Sequence, residues 1–244
     1  MTVSEFSDGF DTLINAYSQG VPFGDGNGGL EFTEYEKSVF LTEAQEKLIV
    51  SLYNGRNTEG LSFESSEEVR RDLEPLVIQA ENSCPVSTYN KLSEKHQVFR
   101  LNDNVWFIVF ESVDWDTSES GCLPSEGIHV QPITHDEYHK VKDNPFRGPS
   151  DRRVLRLDVN AGYSENDKTR QYVEIVSKYA VSTYRYRYIR HPKPIILDNL
   201  SDEGVTVDGG KYMRTSELGE PLHQGILELA VTLALQSRGI SVNK

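Results

Sequence analysis

Two histidines, in the string His135-Asp-Glu-Tyr-His139, stand one helical turn apart, a spacing at which two imidazoles can grip a zinc ion. A zinc protease helix needs Glu directly after its first His to act as general base. Here that place holds Asp136, and Glu137 comes one residue late. An exposed polar helix yields the same string without a metal, so no metal is expected at this pair. The string Gly24-Asp-Gly-Asn-Gly-Gly29 fits the letters of GxGxxG. That motif holds a dinucleotide only between a strand and a helix, whereas the residues before Gly24 read as helical. Glycines at Gly26, Gly28 and Gly29 also deny it the oxygen ligands of a calcium loop. A flexible connection is expected.

The most unusual string is Tyr184-Arg-Tyr-Arg-Tyr-Ile-Arg190. On a strand it sets Tyr184, Tyr186 and Tyr188 on one face and Arg185, Arg187 and Ile189 on the other. Tyrosines with arginines can clamp single-stranded nucleic acid, but here stacking and charge would fall on opposite faces. The preferred reading packs the tyrosines in a sheet and turns the arginines to acidic groups, in the same chain or a neighbouring subunit. No nucleophile elbow and no P-loop is present. The chain is therefore read as non-enzymatic, with no catalytic residues and no cofactor.

Composition narrows the partners. The 244 residues carry 25 Lys and Arg against 38 Asp and Glu, a formal charge of −13. Tight duplex binding draws on basic side chains that neutralise phosphates, so this balance argues against a dedicated duplex-binding role. No apolar run approaches the roughly 18 residues of a membrane span, and the N-terminus lacks the basic start and apolar stretch of a signal peptide. A soluble, unexported protein is expected. In its reducing compartment Cys84 and Cys122 are expected as free thiols. Charge is uneven: residues 1–94 hold 6 basic and 17 acidic side chains, and residues 140–193 hold 13 basic and 6 acidic. Such territories can pair copies head to side or face two partners. They can equally be ordinary solvated faces.

The elements that position these residues begin as helices. Val3, Phe6, Phe10, Leu13, Ile14 and Tyr17 recur at three and four residue steps. Thr33 and Glu36 form a capping box that opens a second helix. Its apolar stripe runs through Val39, Phe40, Ala44, Leu48, Ile49, Leu52 and Tyr53 to a cap at Asn54-Gly55. A third, capped by Ser65 and Glu68, is expected to reach about Gln79, with Pro75 shortening or kinking it. From about residue 96 the period becomes two. Strands are expected at Gln97–Leu101, Val105–Val113, Gly127–Ile133, Val154–Val159, Tyr172–Lys178, Val181–Arg190 and Ile195–Leu197. A short helix capped by Thr134 interrupts them, followed by the turn-rich Asn144–Pro149. The last helix starts with Pro221 at its first position and stops at Gly239. The fold class is α+β: a helical bundle from the N-terminal helices and the C-terminal helix, with an inserted antiparallel β-rich domain. The expected divisions are 1–94, 95–219 and 220–244.

Four of these strings, Glu34–Thr42 (EYEKSVFLT), Trp106–Ser112 (WFIVFES), Pro132–Tyr138 (PITHDEY) and Asn144–Arg147 (NPFR), resemble virion ring proteins encoded by crAss-like phages. With Val173–Val176, Tyr188–Ile195 and Leu222–Glu228, the order of pieces is similar more broadly to head-to-tail adaptors of short-tailed phages. The resemblance implies a homo-oligomeric ring, a dodecamer, in the neck of a virion assembled in the host cytoplasm. Its partners would be the portal, other ring or tail proteins, and genomic DNA passing through a channel without specific binding; no membrane is implied. The alternatives are another tail-hub or ring protein, or a packaging-associated nucleic-acid-binding factor resting on Tyr184–Arg190. A ring needs two different patches on each subunit. The expected basic patch is Arg152, Arg153, Arg156, Arg185 and Arg187, and the expected lumen or acidic interface is Glu34, Glu36, Glu43 and Glu46.

Overall fold

A computed structural model describes residues 1–17, 30–57, 59–87, 92–93, 96–116, 126–160, 171–201 and 204–240. The Gly24–Gly29 string, Cys122 and residues 161–169 lie outside the described residues; Cys84 is exposed and free. The chain divides into two compact units, Met1–Leu76 with Pro192–Lys244, and Val77–His191.

The first unit is helical. Helix α1 (Val3–Tyr17) buries Phe6, Phe10 and Ile14, the spine of its sequence periodicity. Helix α2 (Glu34–Asn54) opens on the expected box, with Thr33 accepting from the Glu36 amide and Glu36 reaching back to the Thr33 amide. It ends at Gly55, whose φ of 68° is one that glycine adopts without strain. The C-terminal helix, labelled α5 below (Glu220–Ser237), packs on both α1 and α2. Its cap is Gly219, so Pro221 stands at the second helical position rather than the first. Gly9 lets α5 come close, since a Cβ there would lie 2.8 Å from Leu227 Cδ2.

The buried face of α2 departs from the apolar stripe. Val39 is exposed, while Lys37, Ser38, Thr42 and Gln45 are buried. Lys37 is drawn in by Ser7 and Asp11 of α1 and by Glu34; for the other three the cause is the extended segment 193–197, which pairs with helix side chains instead of a strand. Thr42 Oγ1 accepts from the Ile195 amide at 3.1 Å and donates to its carbonyl at 3.3 Å. Ser38 Oγ accepts from the Leu197 amide at 2.9 Å, and Gln45 Nε2 donates to the Lys193 carbonyl at 3.0 Å. Ile195–Leu197, expected as a strand, makes one isolated bridge, from Ile196 to Arg214.

The third helix ends early. Helix α3 (Glu67–Leu73) is capped by Ser66, one residue beyond the expected Ser65. A 3₁₀ turn carries Pro75 over Glu74–Leu76, and the chain then enters strand β1 (Val77–Asn82) instead of continuing as helix to Gln79. Gln, Ala and Glu in that strand favour helix locally. A full antiparallel ladder against residues 184–189 overrides them.

The second unit is one sheet of seven strands. It comprises β1, β2 (Gln97–Arg100), β3 (Val105–Trp115), β4 (Ile128–Pro132), β5 (Arg153–Asn160), β6 (Gln171–Val176) and β7 (Val181–Arg190). The order is β1-β7-β3-β4-β5-β6-β2. It is mixed, not wholly antiparallel, because β4 and β5 run parallel. The helix capped by Thr134, α4 (His135–Val141), supplies the crossover between them, as a parallel pair requires. Tyr138 and Val141 of that helix cover Leu155, Leu157 and Val176 on one face. The sheet curls until its ends meet through side-chain amides. Asn82 Nδ2 of β1 donates to the Arg100 carbonyl of β2, and Gln97 of β2 both accepts from and donates to the Val181 backbone of β7. Inside the curl lie Phe99, Val113, Trp115, Val130, Val154, Val173, Ile175, Tyr184, Tyr186 and Tyr188.

Candidate functional site

The tyrosine ladder is interior: Tyr184, Tyr186 and Tyr188 are at most 1% exposed. Rings that deep cannot stack on bases, so the nucleic-acid reading loses its observation. The hydroxyls are satisfied within the unit. Tyr188 donates to Asn104 and accepts from Asn102, Tyr186 accepts from the Asn102 amide, and Tyr184 donates to Glu111.

Glu111 is itself buried, with Arg156 Nη1 2.9 Å from its other oxygen. Arg156, expected on a basic surface, is instead only 9% exposed. Alternation explains it: Val154 and Arg156 of β5 share the inward face, and Leu155 and Leu157 share the other. Burial raises the Glu111 pKa, opposed by Arg156 and the Tyr184 hydrogen bond. Burial and the Glu111 charge together hold the Tyr184 hydroxyl well above its ordinary value.

The other candidate arginines are placed as follows. Arg185 pairs with Asp114 and lies 3.5 Å from Glu81, and Arg187 donates to Gln79 at 3.1 Å while its guanidinium covers the half-exposed Phe110 ring. These two share the outward face of β7, as the alternation requires. Arg153 donates to the carbonyls of Phe146 and Gly148, at 2.6 and 3.0 Å. Arg152 is exposed.

The acidic candidates all belong to α2 and are in part engaged within the unit. Glu34 accepts from Ser7 at 2.9 Å and from the buried Lys37 at 2.8 Å, which also binds Asp11 at 2.7 Å. Glu36 serves the capping box and lies 3.7 Å from Arg238; the Thr33 amide holds its carboxyl below the usual range. Glu43 pairs with Lys47 one turn on, half exposed, and Glu46 is half-buried. His135 Nε2 lies 3.1 Å from the Asp158 carbonyl. Within either unit, no third donor joins it and His139 in a metal-sized cluster among the described residues.

Sequence reasoning passed over the surface that stands out most. Phe146 is 88% exposed, at the tip of the Asn144–Pro149 turn. Asn144 Oδ1 accepts from the amides of Phe146 and Arg147, and its carbonyl accepts from the Gly148 amide at 2.7 Å. A Cβ at Gly148 would lie 2.7 Å from that carbonyl, so only glycine closes the turn. Arg153 ties the tip from below. The signal available in sequence was an aromatic set in Asn-Pro-Phe-Arg-Gly-Pro, whose turn formers leave its side chain outside any strand or helix.

In the helical unit, Phe32, Tyr35, Val39 and Phe40 line a surface cavity of about 380 Å³, rimmed by Glu36, Ser237 and Arg238. The Arg238 guanidinium sits over the Phe32 ring, and Phe32 stands edge-on to Phe40. No described helix is long and apolar enough to cross a membrane.

Residues 1–244 match the model of a family described as phage tail ring protein 3/4. Ring protein 3 of Bacteroides phage crAss001 is 42% identical over 239 residues, covering 98% of this chain and 96% of the relative. Ring protein 4/5 of the same phage is 30% identical over 243 residues, covering 96% and 92%.

Proposed function

The chain belongs to the phage tail ring protein 3/4 family, a family of virion structural ring proteins, and from that premise we propose that it forms a connector ring at the head-to-tail neck. The ring is a homo-oligomer, a dodecamer, that docks to the portal. It extends the DNA channel and offers a platform for tail components. Assembly takes place in the host cytoplasm.

The observation that carries this reading is the match along the whole chain, which includes both compact units. The chemistry supports it. The buried tyrosines and the buried Glu111–Arg156 pair stiffen a β unit without presenting a reactive group, as suits a scaffold. Glu36 and Glu43 on α2 retain enough exposure to face a neighbour or a lumen, where negative charge repels the DNA backbone and lets it slide. Arg152, Arg185 and Arg187 remain on the surface for contacts between subunits, and the buried Arg156 leaves that set.

Quantitative mass spectrometry of purified virions tests it. Copy number equal to that of the portal protein is expected. Absence from mature particles, or a copy number unrelated to the portal, overturns the connector role.

A further inference from the structure

We propose that Phe146, with Arg147 beside it, is the plug of the subunit contact, and that the socket is the Phe32–Tyr35–Val39–Phe40 cavity of a second copy of this chain. The inference rests on the ring reading and specifies its contact.

A free phenylalanine side chain in water forgoes the burial of about 150–250 Å² of apolar surface. A single exposed apolar side chain is ordinary on a protein surface; what sets Phe146 apart is the structure that holds it there. Phe146 is held out by a built turn: two amides on Asn144 Oδ1, a Gly148 that admits no side chain, and the Arg153 guanidinium on two carbonyls. The base of the turn is fixed in its turn by Lys178 on Asp151 at 2.7 Å. Little ordering entropy remains to be lost when the ring enters a pocket, which is the property of a contact anchor.

The socket matches in shape and charge. It is open, aromatic-walled and of a size to accept one ring, and Phe32 and Phe40 already pack edge-on in it. Half-exposed Glu36 stands at its rim, 3.7 Å from Arg238, and exposed Glu31 adjoins Phe32 in sequence, while the plug is flanked by exposed Arg147 and Arg152. The acidic 1–94 and basic 140–193 territories so acquire a point of contact. Plug and socket are different surfaces, so each subunit offers one of each to two neighbours. That is the heterologous arrangement from which closed rings are made.

The test uses full-length chain with Cys84→Ser and Cys122→Ser. One preparation carries Asp143→Cys, beside the turn, and another Ser237→Cys, on the cavity rim, so that plug and socket stay intact; they are mixed and treated with a short bis-maleimide. Covalent pairs are expected in the mixture and in neither preparation alone, because only a contact between copies joins the two sites. In parallel, sedimentation velocity follows assembly of wild type and of Phe146→Ala, each with and without purified portal. The truncation is expected to weaken assembly at least thirtyfold, about 2 kcal/mol per contact, with unchanged circular dichroism. Rings from wild type with no cross-linked pair, or from Phe146→Ala at wild-type concentration, overturn the plug and leave the ring reading standing. Wild type that stays monomeric at all concentrations and beside the portal overturns both.

Discussion

The two units satisfy polar groups away from water in different ways, apart from Lys37 of the helical unit, a buried cation whose partners Asp11 and Glu34 are themselves partly exposed. The helical unit faces a backbone segment with no strand beside it. It supplies Ser38, Thr42 and Gln45 from α2 as neutral partners for residues 193–197. The β unit has its backbone paired in ladders, and its interior polar groups are side chains, including a full ion pair of Glu111 and Arg156. A neutral hydroxyl on an amide is worth about 1 kcal/mol net. A buried ion pair gains little over an apolar replacement but costs heavily when half of it is removed. The helical unit should therefore yield gradually to substitution and the β unit abruptly. Both tryptophans, Trp106 and Trp115, lie in the β unit, so their fluorescence reports it alone, while ellipticity at 222 nm follows mainly the helical unit.

The largest effect is expected from Arg156→Met, which strands the Glu111 carboxylate in the curl. Loss of about 3–5 kcal/mol is expected in the tryptophan transition under denaturant. Adding Glu111→Gln removes the charge while keeping an acceptor for Tyr184, and should recover more than half of that loss. A double variant no more stable than the single would show that packing, not charge, holds the site. For the same reason, reversing Arg156 to Glu cannot probe assembly, since the monomer would fail first.

Thr42→Val comes next. It keeps the shape of the side chain but leaves the Ile195 amide and carbonyl without their partner, at about 1–3 kcal/mol. The loss should appear in the ellipticity transition, with the tryptophan midpoint moved less. Equal movement of both would mean that the units unfold as one, and the contrast between them would collapse.

Acid separates the units by sign. His223 is buried, accepts from the Met1 amine at 2.7 Å and donates to the Leu218 carbonyl at 2.9 Å. Burial lowers its pKa from 6.5. A base with a lowered folded pKa binds its proton more readily when unfolded. Its stabilising contribution is present above pH 6.5 and is lost as pH falls through the folded value. Glu111 has the reverse sign: its pKa is raised above 4.5 by burial, so its contribution grows as pH falls toward that range. Between pH 7.5 and 5.5 the ellipticity midpoint should fall relative to the tryptophan midpoint. His223→Gln should flatten that difference.

Much of this architecture is legible in the sequence where one local rule suffices. Thr33, Glu36 and Gly55 fix the ends of α2 because caps act within a turn. The Tyr/Arg alternation fixes β7 because strand faces have period two. The α+β class and the family resemblance follow from the same strings, and the family match bears the resemblance out. What escapes is set by partners distant in sequence. β1 is a strand because residues 184–189 pair with it, against its own helix-favouring side chains. Ser38, Thr42 and Gln45 turn inward because residues about 150 positions later need them. Arg156 reads as surface charge until β3 supplies Glu111. Phe146 escapes for a related reason: its turn formers place it outside any strand or helix, but whether its ring is then covered depends on neighbours that a turn sequence does not specify.

The smallest stability effect completes the contrast. Arg152→Glu alters an exposed side chain at the base of the Phe146 turn, where Asp151, not Arg152, makes the ion pair with Lys178. Substitutions of this kind move stability by no more than about 0.5 kcal/mol, so both transitions should stay where they are. Assembly should respond all the same. Reversal puts an acid beside Arg147 and against the acidic surroundings of the cavity, so ring formation should weaken and its dependence on salt should lessen. Sedimentation velocity at low and moderate salt reads both. A variant that assembles as wild type does at low salt would remove Arg152 from the contact and leave Phe146 to be judged by its truncation and by cross-links from beside its turn.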